Sequence, residues 1–409
     1  MRSLEIRVDP RSLGFDPARL DRLRTHFDRY VTDGRLPGWL ITVARGGELA
    51  WTGKGGYRDR ERQLEVTDDT IWRIYSMTKP IVSIAAMMLY EEGVFDLNDE
   101  VGQWIDVLRE SRIFVGGSAA EPETVPTVGP VRIFHLMTHT SGLTYEFRRT
   151  HPVDQMYRDM GYDFGKTSGA DLEKAVNDWC SNPLLFEPGA NFNYSVATDV
   201  LARLIEIWSG QPLDVFLKER VLEPLGMFDT DFWCQPEKQE RLAMLYLHYD
   251  GETFPWEDLA KKATRKPRMF SGGGGLGSTA YDYQRFMNML LRGGELDGVR
   301  LVSSRTLELM TQNHLPADVD LHEFAIDSYG DMDHSGVGFG LGFAVVTDSV
   351  KNKSLVSEGS FYWGGAASTM FWIDPADDLT VGFYTQVVPT GTYPIRRELE
   401  QLVYQALVD

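Results

Sequence analysis

Ser76-Met77-Thr78-Lys79 sets a hydroxyl and an amine three residues apart, where a long apolar segment begins. On a helix such a pair shares one face, with Cβ atoms about 5–6 Å apart, so the two groups can touch. A serine hydroxyl becomes a useful nucleophile only when a neighbour takes its proton, and a desolvated lysine has its pKa lowered toward the range where it can help. The helix N-terminus would add positive potential beside a developing oxyanion. Pro80 fits the first turn, whose N–H groups lack intrahelical partners. Alone the spacing is weak, since about one such pair arises by chance in a chain of this length.

The elements that must position this pair can be read from periodicity. Asp16 and Pro17 predict a helix start, followed by Leu20, Leu23, Phe27, Tyr30 and Val31 on one face,. Apolar segments at 39–43 and 48–52 flank Arg45-Gly46-Gly47 and predict a hairpin. The run from Ser76 to Glu92, closed by Gly93, predicts a buried helix. Residues 97–261 look mainly helical, with Val200, Leu201, Leu204, Ile205 and Trp208 as one stripe. Strand-type segments follow at 340–346, 368–373 and 379–385, and Ile395, Leu399, Leu402 and Val403 mark a last helix,. The expectation is an α/β domain from residues 1–96 and 262–409, interrupted by a mainly helical domain of residues 97–261, with the site in the cleft between them.

At 409 residues and 43% hydrophobic side chains the chain can bury a large core,. A formal charge of −19 argues against nucleic acid or an anionic membrane as partner, and disfavours strongly anionic substrates unless a local cationic pocket overrides the global sign,. No apolar run is long enough for a membrane span, and Met1 to Arg11 is too charged for a signal peptide, so cytoplasmic residence is expected. Two cysteines, Cys180 and Cys234, supply neither a disulfide framework nor a cysteine zinc site,.

Four further segments turn the weak signal into a strong one: His135-Leu136-Met137-Thr138-His139-Thr140-Ser141-Gly142-Leu143, Tyr194-Ser195-Val196, the glycine run Gly272 to Gly275 continuing through Ala280, and Trp363-Gly364-Gly365. With Ser76 to Lys79, and in this order, they resemble the class C β-lactamases, the DD-peptidases and above all the family VIII carboxylesterases and related acyltransferases, over nearly the whole chain. The resemblance implies a β-lactamase/DD-peptidase-like fold, an antiparallel sheet flanked by helices with a helical domain beside it. It makes Tyr194 the match of a proton-shuttling tyrosine and Tyr145 the match of a tyrosine lining the site. Gly364 and Gly365 would let the strand approach substrate, and Ala366 would offer its N–H, with that of Ser76, as the oxyanion hole.

Two departures from the β-lactamases matter. Val196 stands where they have asparagine, and Trp363 where they have the lysine that meets a lactam carboxylate. Both point to a small-molecule ester substrate, hydrolysed through an acyl-enzyme on Ser76. A β-lactamase, a DD-peptidase-type amide hydrolase, an acyltransferase and an inactive module of the same fold remain alternatives. Aromatic residues Tyr145, Phe147, Phe361, Tyr362 and Trp363 suggest an apolar acyl pocket. His139 and Ser141 read as loop scaffold, and the glycine run as structural, with Thr279 capping the next helix. No Gly-x-Ser-x-Gly elbow or His-Glu-x-x-His pair occurs, so neither an α/β-hydrolase nor a zinc site is expected, and no metal or cofactor is called for,. The sequence does not fix an oligomeric state.

Overall fold

The computed structural model describes residues 4–326 and 334–408. Helix α1 (Pro17–Thr32) begins where the Asp16 carboxylate accepts from the N–H groups of Ala18 and Arg19, and it buries Leu20, Leu23, Phe27 and Tyr30,. Strands β1 (Gly38–Arg45) and β2 (Glu48–Asp59) form the hairpin. Its turn residues Gly46 and Gly47 have φ of 59° and 79°, the left-handed pair that a two-residue hairpin turn requires,. After β3 (Leu64–Glu65) the chain passes through one 3-10 turn, Tyr75–Met77, into α2 (Thr78–Glu91). Ser76 therefore lies in the turn that feeds the helix, and Lys79 in the first turn of the helix itself. Every residue of α2 from Thr78 to Leu89 is buried.

The stretch 97–261 carries α3 (Ile133–Met137), α4 (Ala197–Ser209) and several shorter helices. It is less helical than expected. Three hairpins interrupt it, pairing Arg112–Gly117 with Pro122–Pro126, Tyr162–Asp163 with Lys166–Thr167, and Tyr246–Tyr249 with Glu252–Pro255. The last also pairs in parallel with Val387–Val388 near the other end of the chain. Such pairing is invisible to local periodicity because each hairpin is short and its partner remote.

After α5 (Ala280–Leu291), capped by the Thr279 hydroxyl, the strands return: β4 (Val337–Phe339), β5 (Ala344–Val346), β6 (Phe361–Gly364), β7 (Met370–Asp374) and β8 (Leu379–Tyr384), closed by α6 (Ile395–Tyr404). All eight strands join one antiparallel sheet in the order β4-β5-β6-β7-β8-β1-β2-β3. The strand expected over 340–346 is instead a turn followed by β5. Gly342 has φ of 96°, and a Cβ there would stand 2.2 Å from Ser83 Oγ on α2, so the chain bends where it meets the helix,.

Strand alternation assigns helices to both faces. Phe383 of β8 packs on Phe27 of α1, with ring centroids 5.2 Å apart. Thr380, on the opposite face of the same strand, receives the Gln284 amide of α5, and Phe371 meets Tyr283 at 5.2 Å. The fully buried Tyr283 also donates its hydroxyl to the Met77 carbonyl at 3.0 Å, which ties α5 to the turn carrying Ser76. Cys180 and Cys234 are buried free thiols. Among the described residues no helix is long and apolar enough to cross a membrane. Removing the Tyr283 hydroxyl should cost about 0.5–1.5 kcal/mol. Urea unfolding of Tyr283→Phe is expected to show a lower midpoint with an unchanged slope.

Candidate active site

Ser76 is held by its neighbours on both sides. Tyr75 has φ of 43°, a left-handed backbone that a non-glycine residue adopts only when its surroundings impose it,. Ile74 N–H donates to the Leu276 carbonyl and Leu276 N–H to Thr78 Oγ1, each at 3.1 Å, so the glycine-run loop brackets the turn. Just past β6, Gly365 lies so close that a Cβ would stand 2.4 Å from the Ile74 carbonyl. Ala366 is the next residue. Ser76 itself remains partly exposed.

Lys79 is 2% exposed and directs its amine at three oxygens. It bonds the Gly273 carbonyl at 2.6 Å, Tyr145 Oη at 2.9 Å and Ser76 Oγ at 3.2 Å. Three acceptors match the three N–H groups of an ammonium. Burial pulls its pKa down to about 7, against the opposing attraction of Asp199,.

Asp199, buried in the first turn of α4, accepts from Ser271 Oγ at 2.6 Å and from Gly273 N–H at 3.1 Å. Burial raises its pKa, and the Ser271 bond and the Lys79 charge oppose that rise. It therefore braces the loop whose carbonyl receives Lys79. A Cβ on Gly273 would stand 2.3 Å from Asp199 Oδ2 and 2.9 Å from Tyr145 Oη, so this position requires glycine,. Beside Tyr145, the buried Glu146 carboxyl is pushed up to about 7, chiefly by desolvation.

Tyr194 precedes α4 in a loop zipped to the 139–144 segment by Asn193 N–H to His139 O (2.9 Å), Asn193 Nδ2 to Leu143 O (2.8 Å) and Val196 N–H to Thr144 O (3.2 Å). Lys79 Nζ lies 4.5 Å from the centroid of the Tyr194 ring, and Trp363 Nε1 donates to the Tyr194 hydroxyl at 3.4 Å,. His139 packs against the same ring at 4.8 Å and reaches Ser195 Oγ at 3.3 Å. Burial and the Lys79 charge push its pKa well below the usual value, which keeps it neutral scaffold.

The structure thus gathers Ser76, Lys79, Tyr145, Tyr194 and Trp363, with Gly364 and Gly365 at the end of the Trp363 strand. It does not gather all the expected aromatics. Tyr145 stacks on Phe147 at 4.6 Å, but Phe361 packs against Phe343, and Tyr362, on the other face of β6, lies under the Arg396 guanidinium at 4.6 Å. Strand alternation accounts for Tyr362, and position along the strand for Phe361. The aromatic wall near Ser76 is completed by Phe164, stacked on Tyr75 at 5.9 Å, and by Trp256, stacked on Phe164 at 5.9 Å.

A family model described as Beta-lactamase matches residues 23–405. The chain belongs to the Beta-lactamase family. Protein Rv1367c of Mycobacterium tuberculosis is 34% identical over 365 residues, covering 88% of each chain. Esterase EstB of Burkholderia gladioli is 30% identical, covering 97% of this chain and 98% of its own. Among solved structures, "EstCE1, a hydrolase with promiscuous acyltransferase activity" superposes with a TM-score of 0.79 at 26% identity, over 97% of this chain and 99% of that one. The protein is a serine hydrolase of the β-lactamase fold, with an esterase among its relatives.

Within this β-lactamase fold, the sequence reading missed Asp199, the Gly273 carbonyl, Phe164 and Trp256. The available signal for Asp199 was a lone carboxylate beside the apolar stripe of α4, five residues after Tyr194. Asp199→Asn should remove the charge that holds the Lys79 pKa up while keeping a group able to accept from Ser271 and Gly273. The pKa of Lys79 then falls, and the limb on which kcat/KM rises with pH, expected near pH 7 in the parent, should move to lower pH,. A limb that stays in place or moves upward would show that Asp199 does not set the Lys79 charge.

Proposed function

We propose that this protein is a carboxylesterase that cleaves short to medium acyl esters with no charge next to the reacting carbonyl, through an acyl-enzyme on Ser76. The observation that carries this reading is the Lys79 amine at 3.2 Å from Ser76 Oγ, with a pKa near 7. In its neutral form the amine donates to Gly273 O and Tyr145 Oη, and its lone pair accepts the Ser76 proton. Ser76 Oγ then attacks the carbonyl carbon. The oxyanion is received by the N–H groups of Ser76 and Ala366, and Tyr194 relays the proton to the departing alkoxide. Water repeats the sequence on the acyl-enzyme, restoring the serine and releasing the acid. Gly364 and Gly365 keep side chains away from the bound ester, and Tyr145 and Trp363 face it.

Trp363 supports the choice of ester over lactam, since an indole offers a β-lactam carboxylate no cation. Relatives that include a hydrolase with promiscuous acyltransferase activity also support transfer to an added alcohol in place of water. Ser76→Ala is expected to lose p-nitrophenyl butyrate turnover by about 10³-fold or more while remaining folded. The parent should prefer this ester to nitrocefin, and a slow acyl donor should add its acyl mass only when Ser76 is present. Near-normal turnover by the folded variant would sink the mechanism, and preference for nitrocefin would overturn the substrate class.

A further inference from the structure

Against Tyr75 lies a cavity of about 680 Å³ whose lining includes neither Ser76 nor Lys79. Tyr75, Gly274 and Leu276 are among its lining residues, and these are the residues that hold the Ser76 turn and continue from the Gly273 acceptor of Lys79. Its walls include Ile71, Phe232, Trp233, Leu242, Leu259 and Met269. Its charge is opposite to that of the molecule. In a chain with 60 acidic and 41 basic side chains, Arg73, Lys166, Lys262, Arg265, Lys266 and Arg268 line this one cavity.

The acids that line it are Asp229 and Asp231, and both are engaged. Asp229 pairs with Lys238 at 2.8 Å and Arg241 at 2.7 Å, and Asp231 accepts from the Phe232 N–H and the Gln235 amide. Lys266 has an acidic partner of its own, Asp214 at 3.1 Å. Lys166, Arg265 and Arg268 are exposed and have no acidic partner among the described residues. The rim that carries them is tied together, since Lys262 Nζ donates to the Gly165 carbonyl and Leu259 packs on Gly165.

Arg73 is the second, independent sign. It is 7% exposed, and its guanidinium bonds the carbonyls of Ala243 and Ala260, each at 2.6 Å, and the Gln386 amide oxygen at 3.3 Å. None of these acceptors carries a charge, and the buried Arg73 Nε–H has no hydrogen-bond partner. A buried cation without a counter-charge is costly unless something neutralises it.

We propose that this cavity binds an anionic oxygen group, a carboxylate in the simplest case, carried by the substrate at a distance from its ester. The inference rests on the esterase reading above and names its substrate class. The ester sits uncharged between Ser76 and Trp363, and the remainder of the molecule passes Tyr75 along the apolar walls to the basic rim. The chemistry at Ser76 is unchanged, with the anion supplying binding energy only.

The test compares two ester pairs on the full chain, each differing by one negative charge. On the acyl side these are p-nitrophenyl hydrogen suberate and its methyl ester; on the alcohol side, 3-carboxy-4-nitrophenyl butyrate and 4-nitrophenyl butyrate. In at least one pair the charged member should be favoured in kcat/KM by about tenfold. That ratio should fall toward parity in Lys166→Gln/Arg265→Gln/Arg268→Gln. It should also fall as ionic strength rises from about 0.01 M to about 1 M, where the screening length shrinks from about 30 Å to about 3 Å. A ratio at or below parity in both pairs, or one that the triple substitution leaves alone, overturns the proposal. If no ester is turned over, the esterase reading fails, and calorimetry with monomethyl suberate then judges the cavity. Binding that the triple substitution abolishes sustains the anion site, and no binding, or binding that it leaves intact, overturns it.

Discussion

Burying an amine that must sometimes be charged is the constraint around which the site is arranged. Lys79 enters a helix whose surroundings are otherwise apolar, and an unpaired ammonium there would be costly by several kcal/mol,. Neutral oxygens do most of the compensation. The Gly273 carbonyl, Tyr145 hydroxyl and Ser76 hydroxyl take its three N–H groups, and the Asp199 carboxylate acts from behind the loop that presents Gly273. A direct carboxylate partner would have held the lysine protonated through the neutral range. The indirect one leaves its pKa near 7, where loss of a proton to solvent costs little,.

Satisfying those three N–H groups recruits parts of the chain that share no local sequence logic. The carbonyl comes from the glycine run, which can approach only because Gly272 has no side chain to strike Ala202 of α4 and Gly273 none to strike Asp199. The phenol comes from the loop after α3, zipped to the Tyr194 loop by backbone and asparagine bonds. The serine is presented by a turn whose left-handed Tyr75 is bracketed by the glycine-run loop and by the end of β6. Each support is a close backbone approach, so the glycines at these crossings are as specific to the site as the polar side chains.

This division explains what could be read from the sequence. Features fixed by neighbours along the chain were legible: the Asp16 cap and the stripe of α1, the Gly46-Gly47 turn, the burial of α2 and the pairing of Ser76 with Lys79. Tyr194, Trp363 and Tyr145 were legible only through resemblance, because nothing in their own surroundings marks a tyrosine or tryptophan as facing a serine more than 60 residues away. Asp199 escaped both routes, and the glycine run, matched by resemblance, gave no sign that the Gly273 carbonyl receives Lys79. A carboxylate on an apolar helix reads as an ordinary surface residue until its partner loop is known, and a glycine run reads as structural without showing which carbonyl it will present until the helices that close on it are known. The hairpin at 246–255 escaped for the same reason, since its third strand comes from Val387–Val388.

Trp363 ties the electrostatics of the centre to the shape of the whole site. A lysine at this position would bring a second cation to the Tyr194 hydroxyl, near the face of the ring that Lys79 occupies. Like charge at that range disfavours the ammonium of Lys79 and would lower its pKa further. The indole instead offers one neutral N–H to the same hydroxyl and fills the space with an apolar ring. The centre then keeps a single titrating cation, governed by burial and by Asp199, and gives up any means of gripping an anion beside the reacting carbonyl. Charge recognition, where the substrate requires it, has to be moved away from the chemistry. Tyr75 links the two places: its left-handed backbone presents Ser76, and the same residue lines the basic cavity. A substrate anion lodged there would be neutralised by the cavity's own cations, so it would strengthen binding without holding Lys79 protonated and closing off the proton transfer,.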